Sequence, residues 1–230
     1  MSNDEFSVAV RHWMGLSVIP SGVRDRLLCA CSRNVSLSDE HVFSCPVQRG
    51  PTARHNHLVG EVREMAEAVG LHTQLEPRGF PGIDCDSGPD IDIADFHGFQ
   101  RPVCVDVTVV DPLAPSREKR AAAVALTTAL TAERDKTSKY KEVLRLANRG
   151  FIPFAMEVTG GLAPCAVELL RTCAKRHKEL TPDRPFSTYS DSWTARTFCD
   201  YWLQRLAVAL RKGNALVVSR ALSAAQACNR

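Results

Sequence analysis

The chain has 230 residues, 44% of them apolar, with 29 Lys and Arg against 26 Asp and Glu for a net charge of +3. This fills the core of one sizeable domain, or one domain with appendages, and permits a polyanionic partner without demanding one. No run of about eighteen apolar residues occurs, and the start Met1-Ser-Asn-Asp-Glu5 lacks the basic and apolar stretches of a signal peptide, so a folded, soluble chain with neither membrane span nor secretion is expected.

From Phe6 to about Leu28 the pattern predicts a short helical or irregular lead-in, broken at Pro20, Ser21 and Gly22. Cys29 and Cys31, followed by His41 and Cys45, put three thiolates and an imidazole into one short loop, enough for a closed tetrahedral Zn²⁺ site of the structural kind. The spacing of Cys29 and Cys31 is tighter than usual, so buried cysteines beside a surface histidine are the alternative. Nine cysteines, an odd number and otherwise scattered, argue against a disulfide framework and for a reducing compartment, cytoplasmic or nuclear.

Beyond Pro51, the residues Leu58, Val62, Met65 and Val69 recur at helical steps, predicting a helix that ends at Gly70. Arg49, Arg54, His55 and Asn56 are candidates to meet nucleic-acid phosphates at its N-terminus. His55 and His57 read equally well as packing or capping residues. Glu61 flanks the apolar stripe, whereas Glu64 and Glu67 point away from it.

Residues 73–77 predict a first short strand, followed by a Gly/Pro-rich bend from Gly79 to Pro89. Two alternating runs follow, Asp90 to Ala94 and Val103 to Val110, joined by a turn around Gly98 and Arg101. Asp90 opens one run and Asp106 sits inside the next, which puts two carboxylates near the same end of adjacent strands. Such a pair can hold a divalent cation over a phosphodiester, or can be ordinary turn and cap residues. Asp92 shares the strand face of Asp90 and reads as an auxiliary ligand or a charged neighbour.

Asp111-Pro112 and Pro115-Ser116 stop the third strand, and Ser116 is placed to cap a long helix reaching about Asn148 to Gly150. Its inner face carries Tyr140, Val143, Leu144 and Ala147; Lys136 lies within that face one turn before Tyr140, and Lys139 lies at its edge. Phe151 to Val158 predicts a fourth strand closed by Gly160-Gly161, Pro164 to Lys178 a further helix, and Glu179 to Ser192 a polar loop. A last amphipathic helix spans roughly Trp193 to Ala225, with a break at Gly213. The predicted fold class is α/β (α+β), with a lead-in and Cys/His loop over 1–50, a core over 51–180, and a loop and helix over 181–230.

This order of helix, three strands, helix and strand resembles the PD-(D/E)xK restriction-like nuclease core. It is more closely similar to the restriction-like endonuclease domain at the C-terminal end of site-specific non-LTR retrotransposon polyproteins. The residues that carry the likeness are the CCHC set Cys29, Cys31, His41 and Cys45, then Arg54-His55-Asn56, Pro89-Asp90, Val105 to Val110 around Asp106, and Lys136-Thr-Ser-Lys139-Tyr140. The match covers roughly residues 25 to 160, with weaker likeness from Ala209 to Ala215 around Asn214.

The resemblance implies a restriction-endonuclease-like αβββαβ core behind a zinc knuckle, and a Mg²⁺- or Mn²⁺-dependent DNA endonuclease that nicks a target strand. Asp90 and Asp106 would be the metal ligands, and Lys136, Lys139, Tyr140 and Glu61 would complete the catalytic set. DNA is the implied partner. Element RNA or a separate reverse transcriptase would be a further one, because the chain contains no Tyr-x-Asp-Asp signature. Where the family carries a lysine two positions after the third-strand acid, this chain has Thr108. Positive charge for the transition state must then come from elsewhere, Lys136 being the favoured source, or both lysines are simply solvated. The alternative function is a catalytically inactive zinc-bearing module that binds nucleic acid or protein.

Overall fold

The computed structural model describes residues 1–24, 28–31, 35–45, 50–80, 88–94, 96, 101–182 and 194–228. In chain order the elements are α1 (Asn3–Trp13), α2 (Ser21–Arg24), α3 (Asp39–Val42), α4 (Gly50–Glu67), β1 (His72–Leu75), β2 (Ile91–Ala94), β3 (Val103–Val110), α5 (Glu118–Ala123), α6 (Thr127–Leu146), β4 (Gly150–Glu157), α7 (Pro164–Leu180) and α8 (Phe198–Cys228). The expected turn at Gly98, most of the bend before Pro89, and the loop positions Ser192 and Trp193 lie outside the described residues.

The fold is mixed α+β. A four-stranded sheet has the order β1-β2-β3-β4, antiparallel from β1 to β3 and parallel between β3 and β4. A parallel neighbour needs a crossover, which α5 and α6 supply. Val103, Val105 and Val107 of β3, with Ile91, Ile93 and Phe154, share one buried cluster with Leu58, Val62 and Met65 of α4, Leu169 of α7 and Leu206 of α8. The other face carries Cys104 under Tyr140 and Leu144 of α6. Coverage on both faces explains why β3 reads as a nearly continuous apolar run, in which each fully buried aliphatic side chain contributes about 1.5–3 kcal/mol.

The lead-in is more ordered than the sequence implied. Ser2 and Glu5 form a reciprocal capping box that starts α1. Val18, Ile19, Leu37, Val42 and Phe43 then pack with Val217, Val218 and Ala221 of α8, so the first and last segments share a core. No helix among the described residues is long and apolar enough to cross a membrane.

Two expectations about helices are corrected. The helix foreseen from Ser116 is two helices, because Leu126 adopts a left-handed conformation at φ 60°. A Cβ on Gly161 would lie 2.4 Å from Leu126 Cδ2, so the leucine fills the space which that glycine leaves. The N-terminus of α6 is capped from across the fold, where Ala129 N–H donates to Glu157 Oε1 at 3.3 Å, and Ser116 caps neither helix. Gly213 does not break α8, which runs unbroken through it. A Cβ there would lie 2.5 Å from Arg54 Cγ, so the glycine lets α4 and α8 approach closely.

Candidate active site and metal centre

The antiparallel register pairs Ile91 with Val105, and Asp90 lies just before β2, beside β3. Asp90 N–H donates to Val105 O at 3.0 Å. Its carboxylate bridges outward, Oδ2 accepting Val107 N–H at 2.6 Å and Oδ1 lying 3.0 Å from His55 Nε2. Asp106 is 3% exposed. Its Oδ2 lies 2.8 Å from Lys136 Nζ and accepts the Thr108 hydroxyl at 3.1 Å.

Lys136 arrives from α6, the helix that covers this face of the sheet. One turn on, Tyr140 is 1% exposed, and its hydroxyl donates to Gly88 O at 3.1 Å while accepting from Lys139 Nζ at 3.0 Å. Burial, and then the Asp106 and Asp90 carboxylates, push the phenol far up, so it remains a neutral donor. The hydrogen bond to Asp90 pushes the His55 imidazole up, against the opposing effect of burial. Asp106, Lys136, Lys139 and Tyr140 thus lie on one side of the sheet next to Asp90, and His55 is a hydrogen-bonding partner of Asp90.

A cleft of about 360 Å³ opens beside Asp90, lined by His55, Asn56, Gly60, Leu75 and Glu76 among others. Asn56 is exposed there. The cleft opens onto Asp90.

Other candidates are engaged elsewhere. Glu61 pairs with Arg205 Nε of α8 at 2.8 Å and lies 4.0 Å from His57, and Arg205 also holds Glu64 at 2.6 Å. The boundary position that singled out Glu61 faces the last helix, where a half-buried carboxylate requires a counter-ion. Asp92 is paired with Arg149, and Cys104 Sγ donates to its other oxygen at 3.5 Å, so it is a structural anion.

Arg54 is 3% exposed. It donates to Asn214 Oδ1 at 2.9 Å and to Phe43 O at 3.4 Å, and burial lowers its pKa to about 10. It therefore braces α4 against α8 and the Cys/His loop instead of meeting phosphate. The start of α4 is likewise covered, since a Cβ on Gly50 would lie 2.8 Å from Val217 Cα. Arg49 lies outside the described residues.

The second centre is the Cys/His loop. An antiparallel bridge between Leu28 and Ser36 folds it back, Cys29 N–H donating to Val35 O at 2.7 Å, and the short α3 presents His41. Asp39 Oδ1 accepts the Val18 and Ile19 N–H groups at 2.9 and 3.2 Å, which pins the loop to the lead-in. Cys31 Sγ lies 3.0 Å from His41 Nε2, Cys29 Sγ lies 3.5 Å from Cys45 Sγ, and all the donor atoms fall within 4.8 Å of one another. A tetrahedron with Zn–S of about 2.3 Å and Zn–N of about 2.0 Å has edges of roughly 3.5–3.8 Å. The set is therefore spaced to hold a metal ion.

The chain matches no protein-family model and no curated protein. The contacts that sequence reasoning did not foresee, His55 with Asp90, Arg149 with Asp92 and Arg54 with Asn214, all join residues far apart along the chain. No periodicity relates such positions, although the Arg54-His55-Asn56 and Asn214 motifs had marked some of them.

Proposed function

We propose that this protein is a metal-dependent DNA endonuclease that hydrolyses a phosphodiester and nicks a target strand. In this reading it has a restriction-endonuclease-like αβββαβ core and resembles the endonuclease domain of a non-LTR retrotransposon polyprotein. The observation that carries the reading is the 2.8 Å contact of Lys136 with Asp106, on the strand to which Asp90 hydrogen-bonds. In this reading Asp90, Asp106 and Lys136 form the acid, acid, lysine cluster, although the strand position usual for the lysine holds Thr108.

Asp90 and Asp106 offer hard carboxylate oxygens on adjacent strands, which fits Mg²⁺ or Mn²⁺ taking one or two carboxylates together with waters and a substrate phosphate. The cation supplies, when bound, the charge that makes water a nucleophile near neutral pH. Lys136 offsets negative charge growing on the phosphoryl oxygens, while Thr108 and His55 orient Asp106 and Asp90 through their hydrogen bonds. Zn²⁺ in the Cys29, Cys31, His41 and Cys45 set would be structural, because a set of four protein ligands leaves no open position.

The catalytically inactive binding module is the second reading, favoured by Thr108 in place of a cation. A supercoiled-plasmid assay with Mg²⁺ or Mn²⁺ separates the two. We expect nicked circles from the native protein and none from Asp90→Ala or Asp106→Ala, both of which keep DNA binding in a gel shift. Retained binding without nicking by the native protein selects the inactive module.

A further inference from the structure

Gly60 sits in the middle of α4, where glycine is less stable than alanine. Packing accounts for Gly50 and Gly213, where an added Cβ would lie 2.8 Å from Val217 Cα and 2.5 Å from Arg54 Cγ. At Gly60 an added Cβ would meet nothing within 4 Å, so the fold itself does not call for the glycine. The space it leaves belongs to the cleft beside Asp90. At about 360 Å³ that cleft stands at the lower end of small-ligand sites, which span roughly 300–1,000 Å³.

Val59 and the 42% exposed Leu75 give the cleft an apolar surface. Glu64 and Glu67 also line it, but Arg205 holds the first at 2.6 Å and Arg63 the second at 2.7 Å. Asn56 and Glu76 are exposed, and neither side chain has a hydrogen-bond or ion-pair partner among the described residues. Glu76 follows β1 in a left-handed conformation at φ 45°, and its N–H donates to Asp90 O at 2.8 Å, which holds it next to that acid. A free carboxylate and a free amide beside apolar surface disfavour a phosphate and suit a flat ring whose edge carries N–H donors.

We propose that this cleft receives a guanine base, unstacked from a DNA strand whose neighbouring phosphate lies at Asp90. Guanine presents two adjacent donors, N1–H and the N2 amino group, to the two oxygens of one carboxylate, and its O6 accepts from an amide N–H. Glu76 and Asn56 supply that carboxylate and that amide. Adenine, cytosine and thymine each lack the paired donors beside a carbonyl oxygen. Glycine at position 60 lets the ring approach the helix backbone closely. The guanine site stands on the geometry of the cleft, whereas the strand as the source of the base rests on the nuclease reading.

Guanosine is the first probe, titrated into the full chain with methyl NMR as the readout. Saturable shifts are expected at Leu75 and Val59, which adenosine, cytidine and thymidine at the same concentration do not produce. Glu76→Gln exchanges an acceptor oxygen for a donor, and Gly60→Met fills the cleft with a side chain that suits a helix, so each should bind guanosine at least tenfold more weakly. Gly60→Ala reads the fold alone and should melt about 2–4 °C higher than the native protein. A lower melting temperature there would make Gly60 a packing residue and remove the argument. No guanosine shifts, equal shifts from all four nucleosides, or native affinity in Gly60→Met overturns the proposal. Asp106→Ala should bind guanosine as the native protein does, so guanosine binding without plasmid nicking by the native protein sinks the nuclease reading and leaves the site standing. A guanine-containing single strand should displace guanosine where an oligothymidylate of equal length does not. Guanosine that both strands leave in place overturns the strand as the source of the base.

Discussion

Replacing Lys136 by Met removes Nζ and keeps most of the stem, so the change tests charge in isolation. The side chain of Lys136 is 29% exposed and that of Asp106 is 4% exposed. An exposed pair is worth about 0–1 kcal/mol and breaking a buried one costs about 3–5 kcal/mol. Asp106 keeps the Thr108 hydroxyl, so the loss should fall between, at roughly 1–3 kcal/mol, or about 2–12 °C in melting temperature. If the same ammonium offsets charge in the transition state, nicking should slow by about 100-fold or more, as when one oxyanion donor is deleted. Single-turnover nicking well below the mutant's melting temperature keeps the two effects apart. Lys139 donates to the Tyr140 hydroxyl, so on this reading Lys139→Met should mainly weaken DNA binding. Equal, modest losses for both variants that vanish at low salt would refute the assignment and make both lysines surface cations.

Protein purified without added zinc should carry an equivalent of zinc, and replacing Cys31 and Cys45 by Ser should release it and unfold the loop; metal content that is low and unchanged in the variant argues against the site. Asn214→Ala removes one hydrogen bond to the Arg54 guanidinium and one from Asn214 to Val158 O, together roughly 3 kcal/mol, to be read from the urea midpoint. A loss below about 1 kcal/mol would mean that Arg54 finds another acceptor. His12, packed on Phe43 with centroids 4.7 Å apart and facing Arg211, Arg54 and Asp39, has its pKa lowered from 6.5 to about 4, first by burial and then by the two arginines. The unfolded chain therefore binds a proton that the folded one refuses. That contribution is complete above pH 6.5 and declines as pH falls towards 4. His12→Gln should flatten this part of the stability profile, measured as denaturant midpoints at pH 7 and pH 5.

The order of elements was legible in the chain because apolar periodicity is a local property. Steps of three and four marked α4, and alternation marked β2 and β3. The cysteine and histidine cluster was legible for the same reason, its ligands lying within one loop. The antiparallel neighbourhood of β2 and β3 was legible too, since consecutive alternating runs pair readily. What the sequence left open was each charged side chain's choice of partner. Glu61 and Arg54 sit at positions where helical geometry allows either solvent or a neighbouring helix, and only the packing of α8 against α4 turned both inward. Gly213 looked like a helix breaker because propensity is local, whereas the 2.5 Å approach of Arg54 that excludes a side chain there is a tertiary fact. Lys136 lies between the two cases. Periodicity put it on the inner face of its helix, but the parallel crossover that lays α6 over β3 was needed to bring its ammonium onto Asp106, where burial makes a counter-ion obligatory.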